Sequence, residues 1–385
     1  MKEERLDPKV IGYCFVFLAA YLFFPLLLRA QSDYNQTNLV SSVPGNASFT
    51  DPNLINPWGV SQGPSTPLWV SDQGKNVASI YTGNGSPLSL VVNVPTFGTG
   101  PAQGPTGQVF NATNGFDIGG PNGSVPSVFI FGNLNGTISG WNPGSNGGLT
   151  NSVIAVNNNS LGDVYTGLSM GTVNNNSMLF AADFKMNGGV DQFNSSFGSM
   201  GSLNDPNAPT GYAPYNVAVM NGNLFVAYSK VGANGLPVIQ LGDGFVGMYN
   251  LSTDNWSTLT SGGNLDVPWG MTMAPSDFGK FSNDLLIGNF GNGWINAYNP
   301  MTGAWMGTLD GTNNQPLTND FLWSLYFGNG AKGFSPNTLY FTAGIDNQTQ
   351  GLLGAINPSP EPASLILLGS GLLGLAFSRR RLLAR

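Results

Sequence analysis

One recurring position in this sequence carries oxygen chemistry. At the end of a short apolar strand stand Asp72, Asn133, Asp183, Asn289 and Asp346, the last displaced by two or three places. Carboxylate and amide oxygens gathered around one point would suit a hard cation such as Ca2+. The same residue types also cap turns, by hydrogen bonds from side chain to backbone, with no ligand involved. A repeated turn would produce that pattern without any function. Asp277 and Asp284, in SDFGKFSNDLL, admit the same two readings, and their spacing does not match a D-x-D-x-D-G calcium loop. A pair of Asp could in principle hydrolyse a glycoside, although no spacing singles out a pair.

Missing residue types narrow the chemistry further. Between residues 31 and 357 there is no His, Cys, Glu or Arg. That excludes a Ser-His-Asp triad, a Cys-His pair and a His or Cys zinc site there. The same stretch holds 16 Asp against five Lys, a formal charge of 5 − 16 = −11. Such a surface repels phosphate backbones, so no nucleic-acid partner is expected. With no Cys there are no disulfides, and core burial must hold the fold. Trp58, Trp69, Trp141, Trp269, Trp294, Trp305 and Trp323 recur near strand ends. If exposed they would stack on sugar rings; packing between sheets explains them more simply.

The elements that position these residues form a repeat. Six units each begin with an apolar run around a small residue, at Gly59, Gly115, Gly167, Asn216, Gly270 and Ser324. Each continues through a turn into a strand (LWVSD, VFIFGN, LFAAD, LFVAY, LLIGN, LYFTAG) and then a second strand (ASIYT, ISGWN, VDQFN, VGMYN, INAYN, LGAIN). The small residues are spaced by 56, 52, 49, 54 and 54 positions, room for one four-stranded sheet per unit. The fold class is therefore all-β, a six-bladed β-propeller. A β-helix would need shorter coils, and a sandwich would not need six similar units. The sixth unit shows only three strands, and NQTNLVSS, Asn35 to Ser42, is the candidate for the fourth. In a propeller, the recurrent Asp and Asn positions would converge on one mouth of the central channel.

The PWG start, LWVSD and ASIY resemble strands of NHL-type six-bladed propellers. NLINPWGV with FSNDLLIGNFGNGWINAYNP is similar to a family of secreted bacterial propeller-like proteins that often carry a PEP-CTERM tail. The C-terminus agrees. Pro360-Glu361-Pro362 precedes an apolar run from Ala363 to Phe377, and Arg379, Arg380 and Arg381 follow it. This order resembles the PEP-CTERM sorting signal. It implies an exosortase-type protease as partner, export, and display on the envelope or release from it. The apolar run is short for a membrane span, and the arginines favour the cytoplasmic side. At the other end, a charged start, an apolar stretch from Ile11 to Leu28 and Ala30 follow the order of a signal peptide. The organisation expected is a signal peptide at 1–30, a propeller at 31–357 and a sorting tail at 358–385. Transient membrane helices would flank the propeller. The function expected is an exported, non-catalytic binding or scaffold protein with extracellular polysaccharide as partner. The alternative is a Ca2+-dependent hydrolase or lactonase-like propeller with its site at the channel mouth.

Overall fold

The computed structural model describes residues 33–97 and 103–359. The signal segment and the sorting tail from residue 360 lie outside them, as do the helices expected there. Among the described residues no helix is long and apolar enough to cross a membrane.

Six antiparallel four-stranded sheets are arranged in a ring. The first blade runs Pro57–Ser61, Leu68–Asp72, Val77–Tyr81, Val92–Asn93, from the axis outward. The second runs Gln108–Phe110, Phe129–Gly132, Thr137–Trp141, Val153–Asn157. The third comprises Tyr165–Val173, Asn176–Asp183, Val190–Asn194 and Ser199–Leu203. The fourth comprises Tyr212–Met220, Asn223–Lys230, Gly244–Asn250 and Asn255–Ser261. The fifth comprises Pro268–Met273, Leu285–Asn289, Ile295–Tyr298 and Trp305–Thr308. In the sixth, Leu322–Phe327, Leu339–Ala343 and Leu352–Pro358 are joined by Tyr34–Ser41 from the other end of the chain. Phe49–Thr50 then adds to that closing strand in parallel. The first strand of each blade packs against the first strands of both neighbours, and this closes the circle.

The fold class and the origin of the closing strand agree with the sequence. The second unit needs a correction. Its first strand follows Gly107, not Gly115. Residues 114–126 instead build an inserted hairpin, Asp117–Gly120 with Gly123–Pro126. Its Gly-rich turn chemistry imitates the start of a blade, whereas the true inner strand has only three residues.

Small residues recur because the inner strands nearly touch. A Cβ on Gly107 would lie 2.2 Å from the Leu168 amide nitrogen, and one on Gly270 would lie 2.4 Å from the Trp323 carbonyl. In five blades the inner strand slips register just before or across that small residue. Such a bulge re-aims a side chain. The residue at each slip is Trp58, Thr166, Tyr215, Trp269 or Trp323. Four of these are aromatic, and together they form the apolar cluster on the axis with Phe184 and Phe290. The remaining apolar clusters lie between or within neighbouring sheets, for example Trp69, Phe129 and Trp141 across the first two blades.

Candidate functional site

Four of the five recurrent positions occupy equivalent places. Asp72, Asp183 and Asn289 end the second strand of their blades, Asn133 directly follows its own, and all four are buried. The second strand is screened from the axis by the first, so these side chains sit inside the wall. The Asn133 amide donates to Thr137 Oγ1 at 2.9 Å. The Asn289 amide donates to the Asn264 carbonyl at 2.7 Å and to Asn292 Oδ1 at 3.0 Å. Asp183 Oδ1 accepts the Val164 amide at 2.8 Å. Asp346 stands apart, exposed in a turn with φ of 52°.

Asp72 is fully buried, and neither carboxylate oxygen reaches hydrogen-bond geometry. Burial pushes its pKa well above the carboxylate range, more than the nearby Ser79 lowers it. Ser79 donates to the Tyr81 hydroxyl at 2.8 Å, which donates to Asp51 Oδ2 at 2.9 Å.

Among the described residues one carboxylate group has the dimensions of a metal site: Asp163, Asp183 and Asp191. The chain supplies its own cation there. Lys185 pairs with Asp163, and with Asp183 Oδ2 at 3.0 Å. Burial works against the Lys185 charge, but its hydrogen bonds to Asp163 and Asp183 outweigh this and raise its pKa. The Tyr165 hydroxyl lies 3.0 Å from Asp163 Oδ2 and 2.9 Å from Asp191 Oδ2, and it accepts the Asn158 amide at 2.8 Å. Ser202 donates to Asp191. Burial moves Asp183 up to about 6, against the opposing pull of Val164 and Lys185. Asp191 is raised for the same first reason. Asp72 and Asp346 do not belong to this group.

The channel mouth at this end is built from other residues. Those directly after the recurrent positions, Gln73, Leu134, Phe184 and Phe290, line a cavity of about 490 Å3. Its floor is the axial cluster. Trp58 and Trp323 stack with ring centroids 3.5 Å apart, and Trp269 meets both edge-on at 6.1 and 5.6 Å. Tyr215 packs on Phe184 at 4.5 Å, and Phe290 on Trp323 at 4.5 Å. Indole hydrogen bonds fix two of the rings: Trp323 Nε1 donates to Asn56 Oδ1 at 3.0 Å, and Trp269 Nε1 to the Thr166 carbonyl at 3.2 Å. The indole N–H of Trp58 is buried with no partner.

Carboxamides line the cavity with the rings: Asn56, Gln73, Gln103 and Gln348. Asn56 Nδ2 donates to Gln73 Oε1 at 2.8 Å and to Gln348 Oε1 at 3.3 Å, so three of them form one network. One wall is the loop after Lys230, whose Leu236 and Ile239 are 61% and 51% exposed. Among the described residues no Asp or Lys side chain lines this cavity. Tyr215 is the one titratable group among them there, and burial raises it above its ordinary value. A second cavity of about 420 Å3, at the opposite end, is lined by the inner strands of all six blades. Part of the lining lies one residue from the recurrent positions: Gln73, Leu134, Phe184 and Phe290 directly follow them. The aromatic residue preceding the small inner-strand residue in four blades, Trp58, Tyr215, Trp269 and Trp323, was the available signal.

Of the tryptophans singled out above, Trp69 stacks on Phe129 at 4.2 Å and meets Trp141 at 4.7 Å within the wall. Trp305 is exposed and Trp294 half-buried.

Comparison with known proteins adds three findings. Residues 360–381 match the model of the PEP-CTERM protein-sorting motif. Two uncharacterised proteins of Acanthamoeba polyphaga mimivirus are similar along most of their length. One is 27% identical, over 91% of this chain and 86% of its own. The other is 28% identical, over 85% and 87%. Among solved structures, an α-L-arabinanase of Penicillium chrysogenum in complex with arabinobiose superposes with a TM-score of 0.51. It is 11% identical and covers 84% of this chain and 97% of its own, a likeness of fold alone. The motif indicates export and envelope sorting by an exosortase-type system, and the chain is a six-bladed β-propeller that ends in this PEP-CTERM sorting motif.

Proposed function

We propose that the protein is cut at its sorting motif and acts at the envelope, or after release from it, as a non-catalytic binding scaffold, with extracellular polysaccharide as its partner. One observation carries this reading. The channel mouth is floored by buried rings and lined by amides, with no carboxylate, lysine or histidine among the described residues there to move a proton or hold a metal. General acid–base and metal-assisted hydrolysis both need such groups. The other reading, a Ca2+-dependent hydrolase or lactonase, would draw on the Asp163, Asp183 and Asp191 group, two of whose carboxylates already pair with Lys185.

The test pairs localisation with turnover. Full-length protein is expected in the outer envelope or the medium. The triple substitution Pro360→Ala, Glu361→Ala, Pro362→Ala should keep it unprocessed in the inner-membrane fraction. Purified protein should leave polysaccharides and lactones uncleaved with or without Ca2+. Turnover that disappears with a chelator and returns with Ca2+ would establish the enzyme instead.

A further inference from the structure

The mouth cavity differs from the rest of the surface in its lining. The described propeller is acidic, yet no Asp or Lys reaches this cavity. Its volume, about 490 Å3, falls in the range of small-molecule sites. Its surfaces are of two kinds. Rings and aliphatic groups form the floor and one wall: Trp58, Phe184, Tyr215 and Phe290, with Leu236 and Ile239. Carboxamides provide donors and acceptors from Asn56, Gln73, Gln103 and Gln348.

Resting on the binding-scaffold reading above, we propose that this cavity binds uncharged sugar residues of a neutral polysaccharide. A pyranose or furanose ring has apolar C–H faces and a rim of hydroxyls. The faces match the rings, and the hydroxyls match amides, each of which both donates and accepts. The geometry is already fixed: Asn56 bridges Gln73 and Gln348, and the Trp323 indole holds Asn56 in turn. Few rotamers remain to be frozen on binding. Trp58 lines the same cavity, and its buried N–H has no protein acceptor. Anionic glycans do not fit. A uronate or sulfate would lose its water in a site with no cation to replace it, and would approach a chain of net charge −7.

The test uses the purified full chain and tryptophan fluorescence. Maltohexaose, cellohexaose, xylohexaose and arabinohexaose serve as neutral probes, and oligogalacturonate as the charged one. At least one neutral probe should shift the emission and bind at a Kd that salt does not change. Trp58→Phe deletes the unpaired N–H together with the pyrrole half of the indole. Gln348→Ala removes one member of the amide network. Each should weaken binding about tenfold, the worth of one hydrogen bond, and Gln348→Ala should do so without a change in melting temperature. Neutral binding that both variants leave intact would overturn the cavity assignment and leave the scaffold reading standing. Equal or tighter binding of oligogalacturonate would overturn the neutral-sugar assignment. So would a hydrophobic dye bound at the mouth that no neutral probe displaces. Absence of binding by every neutral probe would overturn the proposal, and the localisation and turnover assays would still judge the scaffold reading separately.

Discussion

Burial is the first cause that raises the carboxyl pKa of Asp72, Asp183, Asp191, Asp205, Asp266 and Asp284. The consequence for stability has a definite sign. A carboxyl with a folded pKa above its unfolded value binds more protons in the folded state, so stability falls as pH rises between the two values. For Asp183 the window runs from 3.8 to about 6. The protein should therefore melt higher at pH 5 than at pH 8, by a few degrees, in calorimetry at constant ionic strength. A melting temperature that rises over that interval would contradict this. Asp72→Asn removes the fully buried carboxyl whose desolvation outweighs the nearby Ser79. It should melt no lower than the parent at pH 8 and should flatten part of the pH dependence. Lys185 predicts the opposite behaviour. Removing the cation beside buried Asp163 and Asp183 leaves their charge uncompensated. Lys185→Met should lower the melting temperature at pH 8 and make it respond to millimolar Ca2+ more than the parent does.

At the scale of elements, one residue ties the closing strand to the fifth blade. Tyr34 is buried, donates its hydroxyl to the Phe278 carbonyl at 2.9 Å and stacks on Phe281 at 6.0 Å. Tyr34→Ala should cost about 3–5 kcal/mol, the usual price of removing a buried aromatic side chain, and Tyr34→Phe only about 1 kcal/mol. Urea denaturation distinguishes the two. Gly270→Ala should also destabilise strongly, since its Cβ has no room beside the Trp323 carbonyl. Much of this level was legible in the sequence. Alternating apolar strands and turn residues showed six sheets, and the incomplete sixth unit indicated a strand from the N-terminus. Two features misled. The inserted hairpin at 117–126 carries the turn chemistry of a blade start, and it hid the short PTG start at 105–107. The recurrent Asp and Asn lie on the second strand, which the first strand screens from the axis. Sequence alone does not show how a bulge turns the residue before Gly59, Asn216, Gly270 and Ser324 into the channel, so the mouth's true lining was missed by one position.

At the scale of the whole molecule, the ring is complete without the sorting tail. Its last strand ends at Pro358, so a chain cut after Ser359 should melt within about a degree of the full chain, while truncation of residues 1–50 should unfold it. Circular dichroism melts of the two truncations separate these outcomes. The same closure constrains time as well as shape. Ser41 donates to the Gly351 carbonyl across 310 residues of sequence. A chain threaded through a membrane amino-end first delivers that serine among the earliest residues and its acceptor among the last. The sixth sheet therefore cannot seal during transit. Until the final strand arrives, Leu339–Ala343 and Tyr34–Ser41 are both unmatched edges. Such edges are sticky, and contacts this distant in sequence form slowly. An exported chain would stay an open arc until the last moment of its passage, and the sorting motif at 360–381 follows directly behind the seam.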